Sequence, residues 1–129
     1  MSSLHELVET FRQDLPSPDP AWPPMVQETV AYLHHHLFDP DFSVATLRDT
    51  LRLHDHNVSS VFAACLGSGI RAYVNRRRVE AAQMLLRQTT ASITEVALAV
   101  GYANVSTFTQ AFRRATGLTP TTYRQAQKK

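Results

Sequence analysis

The chain has 129 residues, of which 43% are hydrophobic and 19% charged. This fits one domain, or one domain plus a short arm, and excludes wholesale disorder. Its apolar runs are short and no signal-like segment opens the chain, so we expect neither a membrane span nor secretion. One cysteine excludes an internal disulfide and a cysteine-based zinc site and favours a reducing cytosol. Four glycines without a Gly-rich loop argue against a phosphate-cradling nucleotide site.

Charge is divided unevenly along the chain. Residues 1–42 hold one Arg and seven acids, a net charge of −6, whereas residues 43–129 hold twelve Lys or Arg and four acids, a net charge of +8. A basic body behind an acidic segment favours a polyanion such as nucleic acid as the partner of the body. The same charge is also compatible with plain solubility.

The first 24 residues form an acidic arm with a proline-rich linker. Leu4, Leu7, Val8 and Phe11 recur at helical spacing, which predicts a short helix from Ser3 to Gln13. Such a helix is unstable alone, so it must dock or fray. Five prolines between Pro16 and Pro24 predict a stiff linker without helix or sheet. We therefore expect helical packing to begin at Met25 and residues 1–24 to be dispensable for folding, with Trp22 packing on the domain surface.

Residues 25–129 read as helix almost throughout. A first helix from Met25 stops before Pro40, and Ser43 is a predicted N-cap with Phe42 and Leu47 as a hydrophobic staple. Two helices broken near residues 53–55 follow, then a long helix over about 70–87. Ser92 and Glu95 predict a capping box that opens another helix. A helix over about 104–117 and a short one after Pro120 complete an all-α domain.

The chain also repeats itself at a period of about fifty residues. Ser43 matches Ser92 and Leu47 matches Val96; after the turn, a further set of pairs matches, Phe62 with Phe112, Gly67 with Gly117 and Tyr73 with Tyr123. Each copy reads as helix, short turn, helix and glycine. The copies span about 43–67 and 92–117. In the second copy, Ala97 permits close helix approach and Gly101 can take the positive φ of a sharp turn, as in a helix-turn-helix.

The second copy and the residues after it, from Ile93 to Arg124, match a known sequence motif. Its fixed positions are Ile93, Val96, Ala97, Gly101, Tyr102, Ser106, Phe108, Phe112, Arg113, Arg114, Gly117, Pro120, Tyr123 and Arg124. With Arg78, Ala82, Leu85 and Leu86 in the long helix, they resemble the DNA-binding domain of the AraC/XylS family of bacterial transcription regulators. The resemblance covers about the last 105 residues. It implies seven helices, in two helix-turn-helix units joined by a linker helix, with two recognition helices in successive major grooves. The arm helix is additional.

The first unit departs from this pattern. Arg48 and Arg52 stand where the second unit has Ala97 and Gly101, so Arg52 must adopt a positive φ or force a different turn. We leave open whether Arg48 and Arg52 reach phosphates or are solvated. His54 occupies the usual Ser N-cap position, where Asp55 is an alternative cap. The recognition helix of the first unit carries no Arg or Lys, so we expect this unit to contribute less to DNA recognition than the second.

The candidate DNA contacts lie on the exposed faces of three helices. In the second recognition helix the base-reading candidates are Gln110, Ser106, Thr109 and Val105. Arg113 and Arg114 are expected nearer the backbone. In the linker helix Arg76 and Arg77 are weaker phosphate candidates, and Arg78 is expected to be structural, pairing with acids or carbonyls. The remaining candidates are Thr107 in the second unit and His56, Asn57, Ser59 and Ser60 in the first.

Other residues give no sign of catalysis or a cofactor. Three consecutive histidines, 34–36, point in different directions on a helix, which disfavours a metal site. Cys65 is expected to be a buried, inert thiol. The expected partners are double-stranded DNA and RNA polymerase, with no membrane, and the expected state is a monomer or weak dimer in the cytoplasm, on the nucleoid. The alternative hypothesis is a protein-interaction or autoregulatory module on the same fold, with weak DNA binding and an acidic arm that shields the basic face.

Overall fold

The computed structural model describes residues 3–53 and 57–127, and within these ranges it contains helices and no strand. The eight helices follow one another as α1 Leu4–Gln13, α2 Pro24–His35, α3 Val44–Leu51, α4 Val58–Leu66, α5 Ile70–Gln88, α6 Ile93–Ala99, α7 Val105–Thr116 and α8 Pro120–Gln127. The predicted all-α fold is therefore confirmed, with α3–α4 and α6–α7 as the two helix-turn-helix units, α5 as the linker helix and α1 as the helix of the arm.

Helix α5 is shared between two hydrophobic cores. Its first half contributes Ile70, Tyr73 and Val74 to the core of the first unit, where they meet Leu47 and Phe62. Its second half supplies the core of the second unit with Val79, Ala81, Ala82, Leu85 and Leu86, which pack with Val96, Phe108 and Phe112. Because one continuous helix belongs to both cores, it fixes the separation of the two units.

Helix α1 is part of the second core. Ser3 caps the helix by accepting a hydrogen bond from the Glu6 backbone N–H at 3.1 Å, and Val8 is only 5% exposed within that core. Phe11 contacts both cores, and its ring centre lies 6.2 Å from that of Phe38. The expectation that helical packing begins at Met25 is therefore wrong, because α1 docks instead of fraying.

The proline-rich linker runs between α1 and α2 along the first unit. Trp22 is half-buried against the first core, as expected, and its carbonyl accepts a hydrogen bond from the Gln27 amide at 2.7 Å. Pro24, expected to lie outside any helix, is the first residue of α2. The first turn of a helix tolerates proline because its backbone N–H groups have no intrahelical partner.

One further expectation is corrected by the packing. Cys65 is half-buried at the edge of the first core, so its free thiol is not fully enclosed. The long helix, predicted over about 70–87, spans Ile70–Gln88. The end of α5 and the segment after it are held by Arg124 of α8, whose guanidinium donates to the carbonyls of Leu86, Thr89 and Ala91.

Candidate nucleic-acid interface

The second unit begins with a complete capping box. The Ser92 hydroxyl accepts from the Glu95 backbone N–H, and the Glu95 carboxylate accepts from the Ser92 backbone N–H, both at 3.0 Å. Hydrogen bonds from the backbone and side chain of Ser92 lower the pKa of Glu95. Ala97, which follows in the same helix, is fully buried. The predicted cap and the predicted close approach at Ala97 are both confirmed.

The turn of the second unit is built against the linker helix. Gly101 has φ +101°, and a Cβ atom added there would lie 2.9 Å from the central guanidinium carbon of Arg78. That guanidinium donates to the carbonyls of Leu37 and Asp39 at 2.8 and 2.9 Å and lies over the Tyr102 ring. Burial lowers the pKa of Arg78. The expected structural role of Arg78 is confirmed, with carbonyls as its partners.

Helix α7 presents a polar face outwards. Asn104 caps it by accepting from the Thr107 backbone N–H at 2.9 Å, while Phe108 and Phe112 are fully buried in the second core. Thr109 is half-buried. The other candidate residues are exposed, namely Val105, Ser106, Thr107, Gln110, Arg113 and Arg114. One helical face therefore combines amide, hydroxyl and guanidinium groups, which can hydrogen-bond base edges and phosphates.

In the first unit the turn is formed differently. Arg52 adopts the left-handed conformation, φ 57° and ψ 47°, which is the first of the two possibilities that the sequence left open. Arg48 donates to the Ser59 hydroxyl at 2.9 Å, so the guanidinium at the position of Ala97 ties α3 to α4. Ser59 is consequently half-buried and already bonded to a protein group.

The exposed part of the first recognition helix is small. Helix α4 begins at Val58, with Asn57 at the N-cap position and no side-chain cap. Asn57 and Ser60 are exposed. The predicted contact of His56, and the caps considered for His54 and Asp55, lie outside the described residues. Within the described part of the chain, α4 carries no charged side chain, so this helix offers fewer groups to DNA than α7.

The linker helix adds fixed positive charge. Arg76 is exposed, and its guanidinium lies 5.4 Å from the Tyr73 ring centre. Arg77 is ion-paired with Glu80 at 3.0 Å and has 22% side-chain exposure. Burial opposes the charge of Arg77, but hydrogen bonds to Tyr73 and Glu80 outweigh it and raise the pKa. Arg76 is thus the freer of the two predicted phosphate ligands.

Two residues near this surface escaped the sequence analysis. Arg71 and Asn75 lie on the exposed side of α5, and they line a groove together with Arg76 and Arg114. Their i, i+4 spacing places them on one helical face. This spacing, next to Arg76, could have identified them as candidates from the sequence. Asn75 is held by the second unit, since its Oδ1 accepts from the Tyr102 hydroxyl at 2.8 Å.

The histidine run has structural contacts instead of a common ligand. His34 is half-buried with Nε2 within hydrogen-bonding distance of the Tyr73 hydroxyl, and burial lowers the pKa of His34. His36 lies 3.8 Å from an Asp39 carboxylate oxygen. Among the described residues no three His, Cys, Asp or Glu side chains are grouped to hold a metal ion. Across residues 3–53 and 57–127, no helix is long and apolar enough to cross a membrane.

Comparison with known proteins places this arrangement in a family. The Helix-turn-helix domain family matches residues 42–126. The uncharacterized HTH-type transcriptional regulator YobQ of Bacillus subtilis is 32% identical over 95% of this chain and 48% of its own length. A putative AraC-like transcription regulator of Streptomyces lividans is 34% identical over 79% of this chain and 33% of its own length. The chain thus spans about half or less of the length of these relatives.

Solved structures agree with this fold. The C-terminal domain of AraT, a response regulator from Geobacillus stearothermophilus, has a TM-score of 0.78 and 27% identity, and the match covers 82% of this chain and 88% of that domain. The DNA-binding domain of AdpA, a global transcriptional factor solved in complex with a target DNA, has a TM-score of 0.72 and 30% identity, covering 81% and 93%.

The two helix-turn-helix units and the exposed polar face of α7 define a transcription-regulator type of DNA-binding domain. The chain belongs to the AraC/XylS-type helix-turn-helix family of bacterial transcription regulators. That family consists of regulators and not of enzymes.

Proposed function

We propose that this protein binds specific double-stranded DNA sequences and regulates transcription, with α4 and α7 in successive major grooves. The observation that carries the proposal is the face of α7, where amide, hydroxyl and guanidinium groups are exposed together above two buried phenylalanines. The linker helix has 19 residues, which makes it about 28 Å long at about 1.5 Å per residue. Adjacent major-groove sites on one DNA face are about 34 Å apart, so a spacer of this size suits a single chain that reads both.

Within α7 the roles follow from side-chain chemistry. Gln110 has an amide that can bond adenine bidentately, and Ser106 and Thr109 offer hydroxyl groups. Val105 offers an apolar contact to a thymine methyl group, and the Thr107 hydroxyl is exposed at the start of the helix. Arg113 and Arg114, one helical turn further on, are assigned to the DNA backbone.

The first unit is the weaker reader in this proposal. Asn57 and Ser60 are the exposed described candidates at its recognition helix, and both are neutral. The Ser59 hydroxyl already accepts a hydrogen bond from Arg48. His56 is retained as a candidate contact. Specificity should therefore be concentrated in the half of the site that α7 contacts.

The fold is compatible with a second candidate, a protein-interaction or autoregulatory module with weak DNA binding. It is favoured by the bond between Arg48 and Ser59, which removes a polar group from α4, and by the acidic arm. Helix α1 packs on α5 and α6, so in this second candidate the arm would shield the basic face of the protein mainly through its charge.

A salt titration separates the two candidates. If about five phosphates are neutralised, the slope of log K against log salt is about −4.5, and affinity for a random duplex falls roughly a few hundredfold between 50 and 200 mM salt. The measurement is a band-shift titration at both salt concentrations. A nearly flat response, or no binding to any duplex at low salt, would favour the interaction module.

The remaining assignments concern the complete regulator. We propose RNA polymerase as the protein partner, a monomer or weak dimer as the DNA-bound form, and the cytoplasm, on the nucleoid, as the place of action. Selection of bound genomic fragments would identify the operator.

A further inference from the structure

A groove of about 450 Å³ runs between the linker helix and the second recognition helix. Its α5 wall carries Arg71, Asn75 and Arg76, and its α7 wall carries Arg114. Three of these four side chains are fixed cations, and no Asp or Glu lines the groove. None of the ion pairs among the described residues uses Arg71, Arg76 or Arg114. The groove is therefore positively charged, and no ion pair with another described residue neutralises these three arginines.

The floor of the groove is kept open by small side chains. Ala72 on α5 and Ala111 and Ala115 on α7 line it, and the i, i+4 spacing of the two α7 alanines places them along one strip. The neighbouring depression beyond Arg76 is lined by Glu80, which is ion-paired with Arg77. An anionic chain entering here meets cations at the walls and apolar methyl groups at the floor.

Asn75 adds an oriented donor. Its Oδ1 accepts from the Tyr102 hydroxyl, so the amide NH₂ group remains available for another partner. Tyr102 follows Gly101 in the turn of the second unit, and its ring packs 5.6 Å from that of Phe108. The orientation of Asn75 is thus set by the same turn that positions α7.

The groove adjoins the base-reading face. Arg114 follows Gln110 by four residues, so the two side chains are neighbours on α7. The opposite wall begins at Arg71, five residues after α4 ends at Leu66. The groove therefore connects the start of α5, which follows α4 in the chain, with the recognition helix α7. In the proposed binding mode, the sugar-phosphate backbone crosses between the major grooves that α4 and α7 enter.

We infer that this groove binds the phosphodiester backbone between the two major-groove sites, with Arg71, Arg76 and Arg114 as charged ligands and the Asn75 amide as a hydrogen-bond donor. The inference rests on the proposed function and adds Arg71 and Asn75 to the interface. Backbone contacts position a protein on the duplex and carry no sequence information directly. Loss of the groove ligands should therefore weaken binding to every duplex alike.

The main test compares the double variant Arg71→Ala/Arg76→Ala with Arg87→Ala, an exposed arginine near the other end of the same helix. Binding to a random 30-base-pair duplex is measured by fluorescence anisotropy at several salt concentrations. Each lost phosphate contact changes the salt slope by about 0.9, which at 0.1 M salt is roughly eightfold in affinity. We expect the double variant to lose about 1.8 in slope and roughly sixtyfold in affinity, and Arg87→Ala to stay close to the parent.

Two single variants test the groove without removing a cation. Asn75→Asp keeps an oxygen acceptor for Tyr102 but replaces the NH₂ donor by a charged oxygen. Ala72→Glu adds a carboxylate at an exposed helical position, where no existing contact is lost. Both should weaken binding while the ratio of affinities for a selected and a random duplex stays unchanged, and circular dichroism melting confirms that each variant folds.

The outcomes separate this inference from the proposed function. A parent protein that binds no duplex would overturn both. If the parent binds but the double variant keeps the parental salt slope, the groove assignment is wrong and the proposed function stands. If the groove variants change the ratio of selected to random affinity as strongly as Gln110→Ala does, these residues read bases, and the backbone assignment is overturned.

Discussion

Replacement of Gly101 by alanine should destabilise the protein more than the same replacement at another left-handed glycine. Gly117 is the matched control, since it has φ +81° and no atom lies within 4 Å of an added Cβ. Alanine there meets only backbone strain of about 1–3 kcal/mol. At Gly101 the added Cβ meets the Arg78 guanidinium at 2.9 Å. Arginine side chains are flexible, but this one is held by two backbone carbonyls and cannot move without losing a bond.

The size of the difference follows from that bond. A hydrogen bond to a charged group contributes about 1.5–3 kcal/mol, so Gly101→Ala should lose that much more stability than Gly117→Ala. At about 4 °C per kcal/mol for a domain of this size, the two midpoints should differ by roughly 6–12 °C. Urea and thermal unfolding, both followed by circular dichroism, measure the difference.

A double-mutant cycle identifies the cause. Arg78→Met removes the group that the added methyl meets, so in the Gly101→Ala background it should cost less than in the parent. The coupling energy should be about 1–3 kcal/mol, as for residues in direct contact. Equal losses for the two glycine variants, or additive effects of Gly101→Ala and Arg78→Met, would refute the argument that Arg78 limits the turn.

The other predictions concern the arm and the two recognition helices. Removal of residues 1–24 uncovers core surface beneath α1, so we expect a lower melting temperature; a truncated protein that melts at the parental temperature would contradict this. Val8→Ala alone should lower the free energy of unfolding by about 2 kcal/mol. Gln110→Ala should relax specificity at one half of a selected site by about tenfold or more. In binding isotherms on that site, Ser60→Ala should reduce affinity less than His56→Ala, and both should reduce it less than Gln110→Ala. Larger losses of affinity from the first-unit variants would mean that the first unit, and not α7, dominates recognition.

Much of the second unit was predictable because its determinants are local. The capping box of Ser92 and Glu95 spans four residues, and the turn needs a small residue and a glycine at a fixed interval. The alternation of polar and apolar positions in α7 gave both its buried face and its candidate contacts. Such signals lie within one or two helical turns of the chain, so a single sequence contains them.

Features made by distant contacts were not predictable in the same way. The partners of Arg78 are carbonyls about forty residues earlier in the chain, and the groove ligand Asn75 meets Tyr102 across 27 residues. The sequence left the role of Arg48 open because its bond to Ser59 depends on how α3 packs on α4. The sequence also left open whether α1 docks or frays, since a proline-rich linker limits the conformation of the chain but does not indicate where the preceding helix will lie.

The packing of Phe11 against both cores has a consequence for the DNA sites that a two-groove reader will accept. The units are joined at two places, through α5 and through the docked arm, and Arg12 adds a bond from α1 to the His35 carbonyl at 3.2 Å. Insertion of one base pair between half-sites rotates the second by about 34° around the duplex axis. A pair of units braced at two places cannot follow that rotation without breaking core contacts. If α4 and α7 bind successive major grooves as proposed, we therefore expect the spacing between half-sites to be part of the recognised sequence.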